Sequence, residues 1–311
     1  MKKKTSGIFK GENDMDRDFL LYYLNQYPFP QEAKDALIAG FDGICKDREM
    51  KQVLTDAIAA YENREAESWE EMLALLRKVG GQAISCAVPI ETVELLFFIL
   101  CAKELKNRYL EKGNPLSCYD GIASDFFSKL NECHKVRGIW GSFVAHWFIG
   151  FFLETRFVIG RLQFEIVQLP PCISPDGKYC FNGEPAINIH IPSGKPLCRE
   201  DVHKAMAEAA VFFGDRFPED QVLFTCNSWL LFPGHREMLP ESSGIRRFME
   251  EFTVISVDIH QKDLWRIFDT DALEDLDSLP QNTTLQKCYV NWLKAGKPVG
   301  TARGIRYMKK E

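Results

Sequence analysis

His190 stands where an imidazole could do chemistry. Residues Ala186 to Ile191 alternate, with Ile187, Ile189 and Ile191 on one face of a strand and Asn188 and His190 on the other. A neutral imidazole there can remove a proton from an amine or an alcohol near pH 7. The competing reading is a histidine satisfied within its sheet. Glu165 is a second candidate base, sharing a strand face with Arg161 and Gln163. It works as a base only if burial raises its pKa against the pull of a nearby arginine; otherwise it forms an Arg–Glu pair. Cys226 and Ser228 point the same way from a later apolar strand, where either could act as nucleophile and Ser228 could give a proton. No Gly-x-Ser-x-Gly sequence surrounds Ser228, and a cysteine in an apolar run is most often core.

The loop Pro192-Ser193-Gly194-Lys195-Pro196 follows the strand of His190 and precedes a helix. A helix N-terminus presents unpaired N–H groups and partial positive charge, so an anion is stabilised there. Ser193 adds a hydroxyl and Lys195 a cation. Arg246 and Arg247 are further candidate anion contacts, or else a solvated helix end. At ~3.3 Å per extended residue, an anion on this loop lies within ~10 Å of His190. The spacing therefore predicts one concave site lined by His190, Glu165 and Ser193, with Ser228 at its far wall.

These residues need a sheet to position them. Residues 1–150 read as an all-helical domain. Pro28 and Pro30 open a segment ending at Gly40, and Ser68 to Glu71 forms a capping box ahead of a helix closed by Gly80-Gly81. Pro89 suits the first turn of a helix running to Gly113. Residues 151–311 change character. Phe157 to Leu169 alternates as a strand, and Pro175-Asp176-Gly177 turns Lys178 to Phe181 back as a hairpin. Val202, Ala205, Met206, Ala209 and Phe213 make a helical stripe, and Val222 to Leu231 is an apolar strand. A short helix over Ile245–Phe252, a strand over Thr253–Asp258, a Thr283–Gln286 capping box and a last strand over Gly304–Met308 follow. A helix between two apolar strands implies a parallel pair, while the hairpin is antiparallel. The fold class is mixed α/β behind a helical domain.

The sequence has 311 residues, 46% apolar and 26% charged, as soluble globular proteins do. A net charge of −6 argues against a general nucleic-acid binder, whose affinity comes from cations paired with phosphates. Ten cysteines show no CxxC, and Cys172, Cys180, His190 and Cys198 are spaced too widely for a zinc knuckle. No metal site is expected, and free thiols suit a reducing cytoplasm. Val88–Ala102 and Ile139–Leu153 fall short of the ~20 apolar residues of a spanning helix, so no membrane partner is expected.

The strand order, together with Arg161-Leu162-Gln163-Phe164-Glu165, Ile189-His190-Ile191-Pro192-Ser193-Gly194, Cys226-Asn227-Ser228-Trp229-Leu230-Leu231 and Leu239-Pro240 through Arg247-Phe248, resembles the GNAT acyltransferase fold. More narrowly, residues 150–311 resemble the GNAT-like C-terminal domain of bacterial acyltransferase-domain proteins, which follows a helical N-acyltransferase N-terminal domain. The resemblance implies coenzyme A or acyl-CoA as co-substrate. It implies transfer of an acyl group to an amine or hydroxyl of a small-molecule or peptide acceptor. It also implies pyrophosphate contacts from Pro192, Ser193, Gly194 and Lys195, with a 3′-phosphate near Arg246 and Arg247. The loop departs from the family's [Arg/Gln]-x-x-Gly-x-[Gly/Ala] pattern in having a single glycine, and residues 234–252 contain no tyrosine to protonate the thiolate. Those departures favour a rival, a GNAT-shaped ligand-binding module without turnover. A Ser/Cys hydrolase using Ser228 or Cys226 with His190 is the third reading.

Overall fold

A computed structural model describes residues 16–64, 73, 87–174, 176–194 and 196–310. They pack as two units, one of the residues up to Arg108 with Ile139–Phe148, the other of Tyr109–Gly138 with Ile149 onward.

The first unit is helical. Asp16 caps α1 (Arg17–Gln26) by accepting from the Phe19 amide at 2.8 Å. Asp47 caps α3 (Arg48–Glu62) through the Met50 amide at 2.9 Å. Between them, α2 (Gln31–Lys46) runs past Gly40 instead of ending there. Gly40 is buried, and a Cβ on it would stand 2.9 Å from Thr92 Cγ2, so this glycine serves close packing rather than a helix end. Helix α4 (Ile90–Lys112) opens directly after Pro89, as expected, with the Pro89 carbonyl accepting from Thr92 and Val93. The Ser68 capping box and Gly80-Gly81 lie outside the described residues.

The second unit holds the site. Helix α5 (Leu116–Arg137) ends at Gly138, whose φ of +71° needs no Cβ. The stretch expected as one strand over 157–169 is a hairpin: β1 (Arg156–Ile159) and β2 (Leu162–Gln168) pair antiparallel, with Ile159 opposite Leu162. Gly160 at φ +59° supplies the turn that alternation alone concealed. β3 (Cys172–Ile173) and β4 (Cys180–Phe181) form the small separate hairpin the turn predicted, although Pro175 itself is outside the described residues. β5 (Pro185–His190), crossover helix α6 (Arg199–Phe212) and β6 (Gln221–Ser228) make the parallel unit. Helix α7 (Gly244–Met249) precedes β7 (Thr253–Ile259), and α8 (Thr284–Lys294) precedes β8 (Gly300–Lys309). The Thr283–Gln286 capping box is present.

The six-stranded order is β1-β2-β5-β6-β8-β7, parallel only at β5–β6. Strand β6 stops at Ser228, three residues short of the expected Leu231. Its hydroxyl accepts from the Leu230 amide at 3.2 Å and starts the 3-10 turn Trp229–Leu231. The isoleucine face of β5 is core, with Ile187 and Ile189 buried, and Phe164 meets Phe224 edge-on at 6.2 Å. The opposite, polar face receives α5. Among the described residues no helix is long and apolar enough to cross a membrane, and no His, Cys, Asp or Glu group could hold a metal.

Candidate active site

The polar side chains of β1, β2 and β5 meet under α5. Register places Arg156 opposite Glu165, Glu165 opposite Asn188, and Gln163 opposite His190. Arg156 donates to Glu165 Oε2 through Nη2 at 2.9 Å and Nε at 3.2 Å. The other carboxylate oxygen, Oε1, lies 2.6 Å from His190 Nε2 and 3.3 Å from Asn188 Nδ2. Burial pushes the Glu165 carboxyl up, but His190 and then Arg156 outweigh it and hold the group down at about 2. Burial pushes His190 down, more than Glu165 lifts it. Near neutral pH the pair is thus carboxylate and neutral imidazole. At 2.6 Å from a carboxylate, Nε2 must carry the proton and donate it, leaving Nδ1 as the basic nitrogen. Asn188 Oδ1 is buried without a partner.

Parallel strands β5 and β6 pair at Ile187↔Phe224 and Asn188↔Thr225 only, although both continue further. Beyond that register they diverge, and the crevice at the carboxyl ends of parallel strands is where α/β sheets take ligands. A cavity of about 480 Å³ opens there. Its walls are Ser128, Asn131 and Lys135 of α5, Arg161, the loop Pro192–Gly194, and the two indoles Trp229 and Trp265. Arg161 Nη2 donates to the Pro192 carbonyl at 2.8 Å, tying the β1–β2 turn to the loop. Gly194 takes φ +96°, a left-handed turn that favours glycine. Leu197 lines this cavity and a smaller one of about 280 Å³, which holds Cys198, Arg199, Arg247 and Glu251 beside the first turn of α6.

The predicted residues do not form a single group. His190 and Glu165 are in direct contact. Pro192, Ser193 and Gly194 line the larger cavity, one strand end beyond them, whereas the walls there are Arg161 and Ile191 rather than the His190–Glu165 pair. Lys195 is outside the described residues. Arg247 lines the smaller cavity and donates to Ser242 O at 2.8 Å, while Arg246 bonds Leu239 O at 3.2 Å. Cys226 is fully buried and burial pushes its thiol up to about 12, so it is a core side chain and no thiolate. The Ser228 hydroxyl is occupied as the cap of the Trp229–Leu231 turn.

Three features escaped sequence reasoning. Arg161 as a loop tie and the α5 wall are long-range placements with no local signal. The third is a buried pair. His235 Nε2 lies 2.6 Å from Tyr289 Oη, and His235 Nδ1 lies 3.4 Å from Leu230 O. Burial drops His235 to about 4, so it is neutral, accepting from the phenol and donating to the carbonyl. Tyr289, at 2% exposed, stands behind the Trp229 wall and not in the cavity.

A mixed sheet whose parallel pair β5–β6 diverges over a strand-to-helix loop has the GNAT-like arrangement. Residues 157–306 match the GNAT-like C-terminal domain, and residues 18–153 match the N-acyltransferase N-terminal domain. The chain belongs to the acyltransferase family built from these two domains. A crystal structure of an acyltransferase in complex with decanoyl-CoA is similar, with a TM-score of 0.70 at 21% identity, over 93% of this chain and 86% of that one. An acyltransferase mutant in complex with octanoyl-CoA has a TM-score of 0.70 at 19% identity, over 93% and 87%. An acyltransferase in complex with decanoyl-CoA and teicoplanin gives the same four figures. At these identities the likeness is one of fold. No curated protein sequence matches the chain.

Proposed function

We propose that the protein moves an acyl group from acyl-CoA to an amine or hydroxyl of a small-molecule acceptor. The observation that carries this reading is the divergence of β5 and β6, with a cavity on each side of the loop that follows β5. Support comes also from the neighbouring folds, which are acyltransferases holding acyl-CoA. The smaller cavity, with Arg199, Arg247 and the first turn of α6, suits coenzyme A phosphates, with Ser193 on the loop between. The thioester reaches the divergence, and the acceptor occupies the larger cavity. Residues 151–311 thus carry the acyl-CoA chemistry, while the helical stretch 1–150 contributes α5 to the acceptor side.

The acceptor nitrogen or oxygen attacks the thioester carbonyl as His190 Nδ1 takes its proton. Backbone N–H groups near Ile191 stabilise the oxyanion, and collapse of the tetrahedral intermediate breaks the C–S bond and releases the coenzyme A thiolate. Glu165 holds the imidazole in the tautomer that presents Nδ1. A second reading, binding without turnover, is favoured by the placement of His190 behind the cavity wall. Titration calorimetry with coenzyme A and decanoyl-CoA, followed by free-thiol release over a panel of amines and alcohols, separates them. Binding with no thiol release selects the second reading. No binding at millimolar concentration removes both.

A further inference from the structure

Asp125 is a carboxylic acid on α5 that is only 2% exposed. Its Oδ1 accepts from Gln163 Nε2 at 2.6 Å, while Oδ2 is buried and meets no donor. A half-satisfied buried carboxyl is a burden on stability that an apolar residue would not impose. Its surroundings suggest a use. Gln163 is itself buried and stands opposite His190 in the β2–β5 register, on the same face. The charged and titratable groups facing His190 are Glu165 from β2, Arg156 from β1 and Asp125 from α5, with Asn188 beside it on β5. Lys129 and Glu132, paired to each other further along α5, both act on Asp125, as does Arg156. Burial pushes Asp125 up and His190 down, so each resists its charged form alone. Facing one another across Gln163, a carboxylate and an imidazolium compensate.

We infer that Asp125 is a positioning residue for His190, fixing Gln163 beside the imidazole and stabilising the imidazolium formed when His190 takes a proton. Its consequence for rate rests on the reading of His190 as the base; its effect on the imidazole does not. The sign is fixed by charge: a nearby carboxylate favours the protonated ring, so removing the charge lowers the midpoint of His190.

The test uses the full-length protein with labelled histidine, its six ring signals followed by NMR across pH, and His190 identified by the signal lost in His190→Asn. Asp125→Asn keeps the shape and the oxygen that accepts from Gln163, and removes only the charge. The expected result is a His190 midpoint lower by about half a unit or more. The thermal midpoint should be unchanged or higher, because a strained buried charge has gone. Thiol release from decanoyl-CoA with an accepting amine should fall about tenfold. A His190 midpoint in Asp125→Asn identical to the parent overturns the inference. So does a lowered thermal midpoint with the imidazole unmoved, which marks Asp125 as purely structural. Should His190→Asn retain turnover while Asp125→Asn still moves the imidazole, the base reading fails and the coupling stands.

Discussion

Two histidines of the sheet unit are withdrawn from solvent, His190 over most of its surface and His235 completely, and each has a hydrogen-bond partner at 2.6 Å, yet they are set for opposite behaviour. His190 faces a carboxylate, with a guanidinium and a second carboxyl near by. His235 faces a phenol, with Trp229 and Phe232 edge-on to its ring. Burial lowers both. Only at His190 does an anion work against that loss, and so only there does the imidazole keep a use for its proton. Burial silences a histidine; the charge of its partner decides whether it stays silenced.

The contrast is broken most sharply by exchange of function. His190→Asn should lower thiol release by about a hundredfold or more, the usual worth of a positioned base, whereas His235→Gln should change it by less than about fivefold. Equal losses would mean that both act only through the fold. Acid stability comes next. His235 sits near 4 when folded and at the ordinary 6.5 when unfolded, so the unfolded chain binds the extra proton between those values. Stability should therefore fall by about 3 kcal/mol as pH drops from 6.5 to 4. Glu165, depressed to about 2, adds its own loss further down, as pH falls from 4.5 toward 2. Urea midpoints measured at several pH values should show the first loss shrink in His235→Leu and the second in Glu165→Gln. Tyr289→Phe sharpens the comparison more gently. It leaves His235 Nε2 without its donor and should cost about 1–2 kcal/mol while leaving the His190 NMR midpoint in place. The smallest effect is expected at Ser228→Ala, which loses a cap worth about 1 kcal/mol and keeps turnover within about twofold. A large loss of turnover there would revive the hydrolase reading.

Much of this was legible in the residues because it is local. The alternation at Ile187, Ile189 and Ile191 fixed the faces of β5, and the same period on β2 set Glu165 toward His190. The Thr283–Gln286 box and Pro89 marked helix starts by their own hydrogen-bonding chemistry. What escaped depended on sequence-distant partners. Gly160 turns a hairpin inside a run whose alternation reads as continuous, since the two-residue turn Gly160-Arg161 leaves no mark on a period of two. Gly40 looked like a stop, and is small because Thr92 approaches it. Cys226 and Ser228 share a strand, but neighbours from other strands decide that one thiol is core and one hydroxyl is a cap. Asp125 was invisible, because nothing in a helix announces which of its polar residues will be covered.

The last strand in chain order is not at the rim. β8 lies between β6 and β7, and Thr225 Oγ1 donates to the Gly304 carbonyl across 79 positions. A growing chain that has already produced β1 to β7 therefore still has a gap in its sheet: β6 has one open edge and β7 has no neighbour. Only when residues 300–309 emerge can the strand slide into place and brace β6, one arm of the diverging pair. Closure of so distant a contact is slow compared with hairpins such as β1–β2. The crevice should thus be among the final parts of the molecule to mature, and during synthesis the open edge of β6 is where a stalled chain would be most prone to pair with a neighbour.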